Sequence, residues 1–239
     1  MIVAVAGGKG GVGKTTTSWN LGRELDAVVV DGDLATPDLP SGSGADLHDV
    51  LAGRVGPREA VEDHGSVTLL PCGRTLSGAR ASRLESFGPV LEQVEREWGR
   101  VVVDCPAGLA RDVGVQLRCA DLAVLVTVPE RVAVVDAFRT RDLAASLRTP
   151  LGNVVLNKAY RIVHEDLAKR MGRTLDTEVT VVPRSSAVES AQARWLPVRE
   201  HASRSRTHAT DDRAIDAYRT MAERLVRSYD RLDGRGCVR

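Results

Sequence analysis

Ile2-Val3-Ala4-Val5-Ala6-Gly7-Gly8-Lys9-Gly10-Gly11-Val12-Gly13-Lys14-Thr15-Thr16 stands at the head of the chain, and its reading decides the fold. Five consecutive apolar residues, two of them valine and one isoleucine, read as a buried strand. The eight residues from Gly8 to Thr15 then fit the spacing G-x-x-x-x-G-K-[ST]. Glycines let the backbone curl until successive N–H groups point at one centre, which makes an anion nest at the start of a helix. Residues 14–25 supply that helix. In such a loop the lysine reaches the outer phosphates of a nucleotide, and the threonine hydroxyl is placed to ligate Mg²⁺. The expected nucleotide contacts are therefore Gly8, Gly10, Gly11, Val12, Gly13, Lys14, Thr15 and Thr16. A glycine-rich turn with an incidental lysine is the bland alternative. It accounts less well for a motif set between a strand and a helix.

Outward from this stretch, short β-branched apolar runs alternate with helical ones. Residues 27–30, 67–70, 101–103, 122–128, 154–156 and 179–182 read as further strands, several apolar at nearly every position. Residues 90–98, 109–118, 132–147, 165–171, 187–193 and 211–232 read as the helices between them. This alternation specifies an α/β fold with one mostly parallel sheet and helices on both faces. No repeat or linker divides the 239 residues, so one domain over 1–239 is expected. Two stretches break the pattern. Residues 33–45 are rich in turn formers directly after a strand. Residues 199–212 are polar and arginine-dotted, with His201 and His208, as a solvated surface loop would be.

Composition sets limits on function. Basic and acidic residues nearly cancel, 33 against 32, which argues against a nucleic-acid coat or a polybasic membrane binder. Aromatics make up only 3%, too few for base-stacking platforms. Only Lys9, Lys14, Lys158 and Lys169 are lysines; every other basic residue is arginine. Cys72, Cys105, Cys119 and Cys237 form no C-x-x-C pair, and the first residues do not read as a signal peptide. A reducing cytoplasm is the expected compartment. The longest apolar run, at 122–128, is far short of a membrane span.

Lys9 narrows the class. Lys9-Gly10-Gly11-Val12-Gly13-Lys14-Thr15-Thr16 resembles the deviant Walker A motif, K-G-G-x-G-K-[ST], of the MinD/ParA family of P-loop ATPases. The resemblance implies that Lys9 reaches across an ATP-sandwich homodimer to the partner's phosphates. A second cation there acts as an arginine finger does, and supplying it in trans couples hydrolysis to dimerisation. The alternative is a solvent-facing lysine that only raises the local potential. Val30-Asp31-Gly32-Asp33 resembles the family's switch I, which implies that Asp33 lies near the γ-phosphate and the metal and positions the attacking water. Asp31 more simply serves the strand end. Val101-Val102-Val103-Asp104-Cys105-Pro106-Ala107-Gly108 resembles its Walker B and switch II. A carboxylate at that strand end, across from the loop, is where Mg²⁺ needs an anchor. Switch I is expected over about residues 31–45, switch II over about 104–112 and a C-terminal helix over about 211–232.

Asn157-Lys158 follows another strand. Tyr160 stands where the N-K-x-D motif of GTPases carries its guanine-reading Asp, so ATP is favoured over GTP. The family resemblance places Asn157, Lys158 and Pro183 around the base. Pro129 to Ala137 and Val182 to Val198 resemble further family segments, so the likeness runs from residue 2 to about 230. The switch I spacing is nearer the MinD-like branch than the ParA branch.

The last helix carries an apolar stripe, Ile215, Tyr218, Met221, Ala222, Leu225, Tyr229 and Leu232, read as docking onto the core. No amphipathic membrane-insertion helix is evident after it, which leaves a peripheral membrane or polar address open. What the resemblance implies is a slow ATP-hydrolysing switch with an activating or cargo partner. The cargo could belong to division, chromosome, chemoreceptor or organelle positioning. Two other readings stand beside it. A metallocentre-assembly ATPase would need an interface cysteine pair such as Cys105 and Cys119. A synthetase of the dethiobiotin type lacks the signature lysine.

Overall fold

Val3 and Val5 of the first strand face one side of a sheet, while Ile2, Ala4 and Ala6 face the other, and all five are fully buried. That alternation, carried through the neighbouring strands, splits the core into two apolar layers. The structure is a computed structural model and describes residues 1–204 and 209–234. His208 and Cys237 lie outside the described residues.

Among the described residues the sheet has eight strands: β1 (Ile2–Ala6), β2 (Val28–Asp31), β3 (Glu62–Asp63), β4 (Thr68–Leu70), β5 (Val101–Asp104), β6 (Leu122–Thr127), β7 (Leu151–Ala159) and β8 (Val179–Pro183). Their spatial order is β3-β4-β2-β5-β1-β6-β7-β8. Every pairing is parallel except β3 with β4. Between the strands lie α1 (Lys14–Leu25), α2 (Leu47–Leu51), α3 (Pro57–Ala60), α4 (Leu76–Ala81), α5 (Phe87–Trp98), α6 (Arg111–Arg118), α7 (Arg131–Ser146), α8 (Arg161–Leu175), α9 (Ser186–Gln192), α10 (Val198–Arg204) and α11 (Ala209–Asp233). One layer packs residues of α5, α6 and α8 on the sheet, and the other packs α1 and α11. The expected stripe of α11 docks there: Tyr218, Met221 and Leu225 are fully buried. Each such side chain contributes about 1.5–3 kcal/mol.

β1 is the strand from which the chain winds both ways, with β5 on one side and β6 on the other. The crevice at the carboxyl end of such a strand is where α/β sheets hold ligands. The loop after β1 opens there.

Three readings need correction. Residues 199–212 are not one surface loop: α10 covers Val198–Arg204, and α11 starts at Ala209. Arg199 makes a two-pronged bond to Glu24 of α1, at 2.7 and 2.8 Å, and Arg23 meets Glu200 at 2.9 Å, so ion pairs dock this polar helix. The short elements α2, α3, α4 and β3, between residues 47 and 81, are absent from the periodicity. β7 runs nine residues rather than three, since Asn153 and Asn157 interrupt its apolar run without interrupting its pairing.

Candidate nucleotide site

Gly13 has φ +100°, and a Cβ there would come 2.1 Å from Nδ2 of Asn157. Only glycine fits that turn, which brings the chain from β1 into α1. α1 begins at Lys14 with no side-chain cap and no acidic residue in its first turn. Its leading N–H groups are thus left for an anion. Lys14 is only 8% exposed and has no ion-pair partner within 4 Å among the described residues. A buried, unpaired ammonium beside an uncapped helix start is costly unless an anion joins it.

The opposite wall is Asp104, at the end of β5 and 4% exposed. Ser18, one turn into α1, donates to it at 2.9 Å, and the Thr15 side chain is turned to the same carboxylate. Burial pushes Asp104 up to about 6, against the opposing pull of Thr15, Ser18 and Lys14. Beside it in register stands Asp31 of β2, pushed up to about 8 by burial first and by the Asp104 charge second. Two adjacent buried carboxylates that resist ionisation are a natural seat for a divalent cation. Asp31 also accepts from the backbone N–H of Asp33 and of Leu39, at 3.2 and 3.3 Å, and so shapes switch I.

Asp33 lies at the rim. Its carboxylate accepts from the N–H groups of Ala35 and Thr36 and from the Thr36 hydroxyl, so it is engaged within its own loop. Lys9 is exposed, and its ammonium pairs with Glu130, the residue before α7, at 2.7 Å. That ion pair holds Glu130 below the usual carboxylate range.

Asn157 is engaged with the loop. Its amide donates to the Val12 carbonyl at 2.8 Å, and its oxygen accepts from the N–H of Lys158. Lys158 in turn reaches the Gly11 carbonyl at 3.0 Å. Both side chains brace the outer carbonyls of the loop and turn its N–H groups inward. Pro183 pairs with Ala159 across the β7–β8 ladder, so it joins the site through β7. Gly8, Gly10, Gly11, Val12, Thr15 and Thr16 line the loop or the first turn of α1 as expected.

Two residues escaped the sequence reading. Ser18 is a neutral helix residue with no motif position. Gln116 of α6 donates to the Gly32 carbonyl at 2.7 Å and ties the helix after switch II to switch I. Neither carries a signal in the sequence beyond polarity on a helix face that proves to be buried.

A glycine cradle, an uncapped helix start, a buried lysine and a strand-end carboxylate define a P-loop nucleotide-binding protein. Residues 1–171 match a family model described as ParA, the NUBPL iron-transfer P-loop NTPases. The chain is 33% identical over 217 residues to an uncharacterized ATP-binding protein of Methanocaldococcus jannaschii, covering 86% of this chain and 82% of that one. It is 31% identical over 244 residues to the septum site-determining protein MinD of Bacillus subtilis, covering 94% and 88%. Its fold is similar to that of MinD of Pyrococcus horikoshii complexed with Mg-ADP, with a TM-score of 0.78 at 22% identity over 94% of this chain and 95% of that one. The chain belongs to the MinD/ParA family, a P-loop ATP-binding family whose members hydrolyse ATP. No helix among the described residues is long and apolar enough to cross a membrane.

Proposed function

We propose that the chain is a slow ATP-driven switch that closes as a homodimer on ATP and opens on hydrolysis, and so times its hold on a cargo or activating partner. The observation that carries this reading is Lys14, buried with no ion-pair partner within 4 Å among the described residues at the uncapped start of α1. ATP is the substrate, with its β- and γ-phosphates in the cradle. Thr15 and Asp104 would hold Mg²⁺, which supplies positive charge to the phosphate oxygens when bound. Asp33, once freed from its own loop, orients the attacking water. Lys9 is exposed and, once released from Glu130, serves a second copy's phosphates. Pro183 lies toward the adenine end, while Asn157 and Lys158 serve the nucleotide by way of the phosphate loop they brace.

The family description names iron transfer, and several relatives are iron-sulfur cluster carrier proteins, a role that requires cysteines turned toward a partner. Here Cys105 is 2% exposed, with its thiol pushed well above the usual range by burial, and Cys119 lies against Gly88. This pair does not favour the metallocentre reading.

The test is Lys14→Ala beside Lys9→Ala. The first is expected to weaken ATP binding by about 10- to 100-fold, the worth of a charged hydrogen bond. The second is expected to spare affinity but lower turnover on the order of 10³-fold, as loss of an arginine finger does, and to abolish ATP-dependent dimerisation in light scattering. Unchanged turnover and dimerisation in both variants would overturn the reading.

A further inference from the structure

β8 ends the sheet, with no strand beyond it among the described residues. Val179 and Val181 pack with Ala168, Met171 and Leu175 of α8, and Val182 packs with Tyr218 and Met221 of α11. The two helices therefore flank opposite faces of β8 and leave its edge as the floor of a groove. The groove has a volume of about 1270 Å³ and runs from Tyr160 and Pro183 at the carboxyl end of the sheet to Thr177 at the other.

The floor has backbone to offer. Val154 donates to the Glu178 carbonyl, and Arg184 donates to that of Ala159. With strict alternation, the even-numbered residues of β8 therefore bond β7, and the N–H and C=O groups of Val179 and Val181 face outward. Five residues of strand span roughly 16 Å, enough for one short extended segment. Thr180, 5% exposed, also lines the groove, and its hydroxyl has no hydrogen-bond partner among the described residues.

The walls carry a basic excess. Five lining residues are basic and three are acidic. Lys169 is held by Glu165 at 3.1 Å, and Arg224 by Glu178 at 3.5 Å. Arg173 of α8 and Arg213 of α11, one on each wall, are exposed and have no ion pair within 4 Å among the described residues. Arg213 lies toward the start of α11, and Arg173 toward the end of α8.

We propose that this groove binds an extended acidic segment of another protein, which adds as a strand to the β8 edge and sets its carboxylates against Arg173 and Arg213. Main-chain bonds to Val179 and Val181 supply affinity, and the two arginines supply the choice of partner. The floor of the site stands three strands from β1, and although the groove reaches Pro183 at one end, Arg173 and Arg213 take no part in the nucleotide reading.

The probe is a fluorescein-labelled Glu-Val-Glu-Val-Glu-Val-Glu peptide titrated into the full chain and read by anisotropy and amide hydrogen exchange. Saturable binding is expected, with exchange at Val179 and Val181 slowed at least about tenfold. Backbone N-methylation at alternate residues of the peptide, or Arg173→Glu with Arg213→Glu in the protein, is expected to weaken binding at least tenfold. ATP turnover in the double variant stays unchanged, and that serves as the check on folding. A peptide with Lys for Glu is expected not to bind. Absent binding, binding indifferent to N-methylation or charge reversal, or protection elsewhere than β8 overturns the proposal. So does a preference for a thymidine dodecamer over the peptide, or occupation of β8 by a second copy of the chain.

Discussion

Asn157 shows how much a single side chain can decide. In the sequence it reads as a base contact, and the structure places its amide on the Val12 carbonyl, 5% exposed, with its oxygen on the following N–H. A brace and a base reader fail differently when removed. Asn157→Ala removes both bonds, of which the one to the phosphate loop, worth about 1 kcal/mol, predicts about a fivefold loss of affinity. Because the bond supports the phosphate loop, the loss should be equal for ATP, GTP and ITP. Calorimetric titration of the three nucleotides checks this, and a loss confined to ATP would return Asn157 to the base. The loop glycines, Lys14 and Asp104 were legible in the sequence because their spacing itself encodes the chemistry. Ser18 and Gln116 were not, because a neutral polar residue in a helix takes its role from what it faces.

At the scale of elements, what the sequence revealed follows from how each element is stabilised. β1, β5, β6 and the buried face of α11 are held by apolar burial, and burial leaves a periodic record. α2, α3 and α4 are four to six residues long, too short to write a period. Local caps start two of them instead, with Asp46 accepting from Asp49 and Thr75 from Gly78. α10 shows least of all, since its contacts with α1 are polar: Arg199 to Glu24, Glu200 to Arg23, and the N–H of Val198 to Asn20 at 2.8 Å. The Glu24 side chain is 10% exposed, and it raises the Arg199 pKa chiefly by hydrogen bonding. Glu24→Gln keeps the shape and removes the charge from a two-pronged pair. It is predicted to cost about 1 kcal/mol in urea unfolding and to release α10, seen as faster amide exchange over Val198–Arg204. Unchanged exchange there would mean that apolar contacts, not ion pairs, seat the helix.

For the whole molecule, the two carboxylates at the centre of the sheet couple stability to pH. Asp31 is pushed up to about 8 and Asp104 to about 6, burial being the first cause in each. In the unfolded chain an Asp titrates near 3.9. Between about pH 4 and pH 8 the folded protein therefore holds protons that the unfolded chain has released. Stability falls as pH rises through that window, by at most about 1.4 kcal/mol per pH unit for each unmatched proton. The two groups share one environment, so the window belongs to the pair. A net loss of up to about 5 kcal/mol between pH 5 and pH 8 is predicted for protein free of metal and nucleotide, read from urea midpoints. Asp31→Asn removes one of the two charges and should flatten most of that slope. Mg²⁺ with ATP should flatten it too, because a cation at Asp104 stabilises the ionised form that burial opposes. A wild-type profile level from pH 5 to pH 8 would show that the folded protein ionises both groups at no cost. The sheet centre would then be far better solvated than its burial implies, and the case for a cation seat would lose its electrostatic ground.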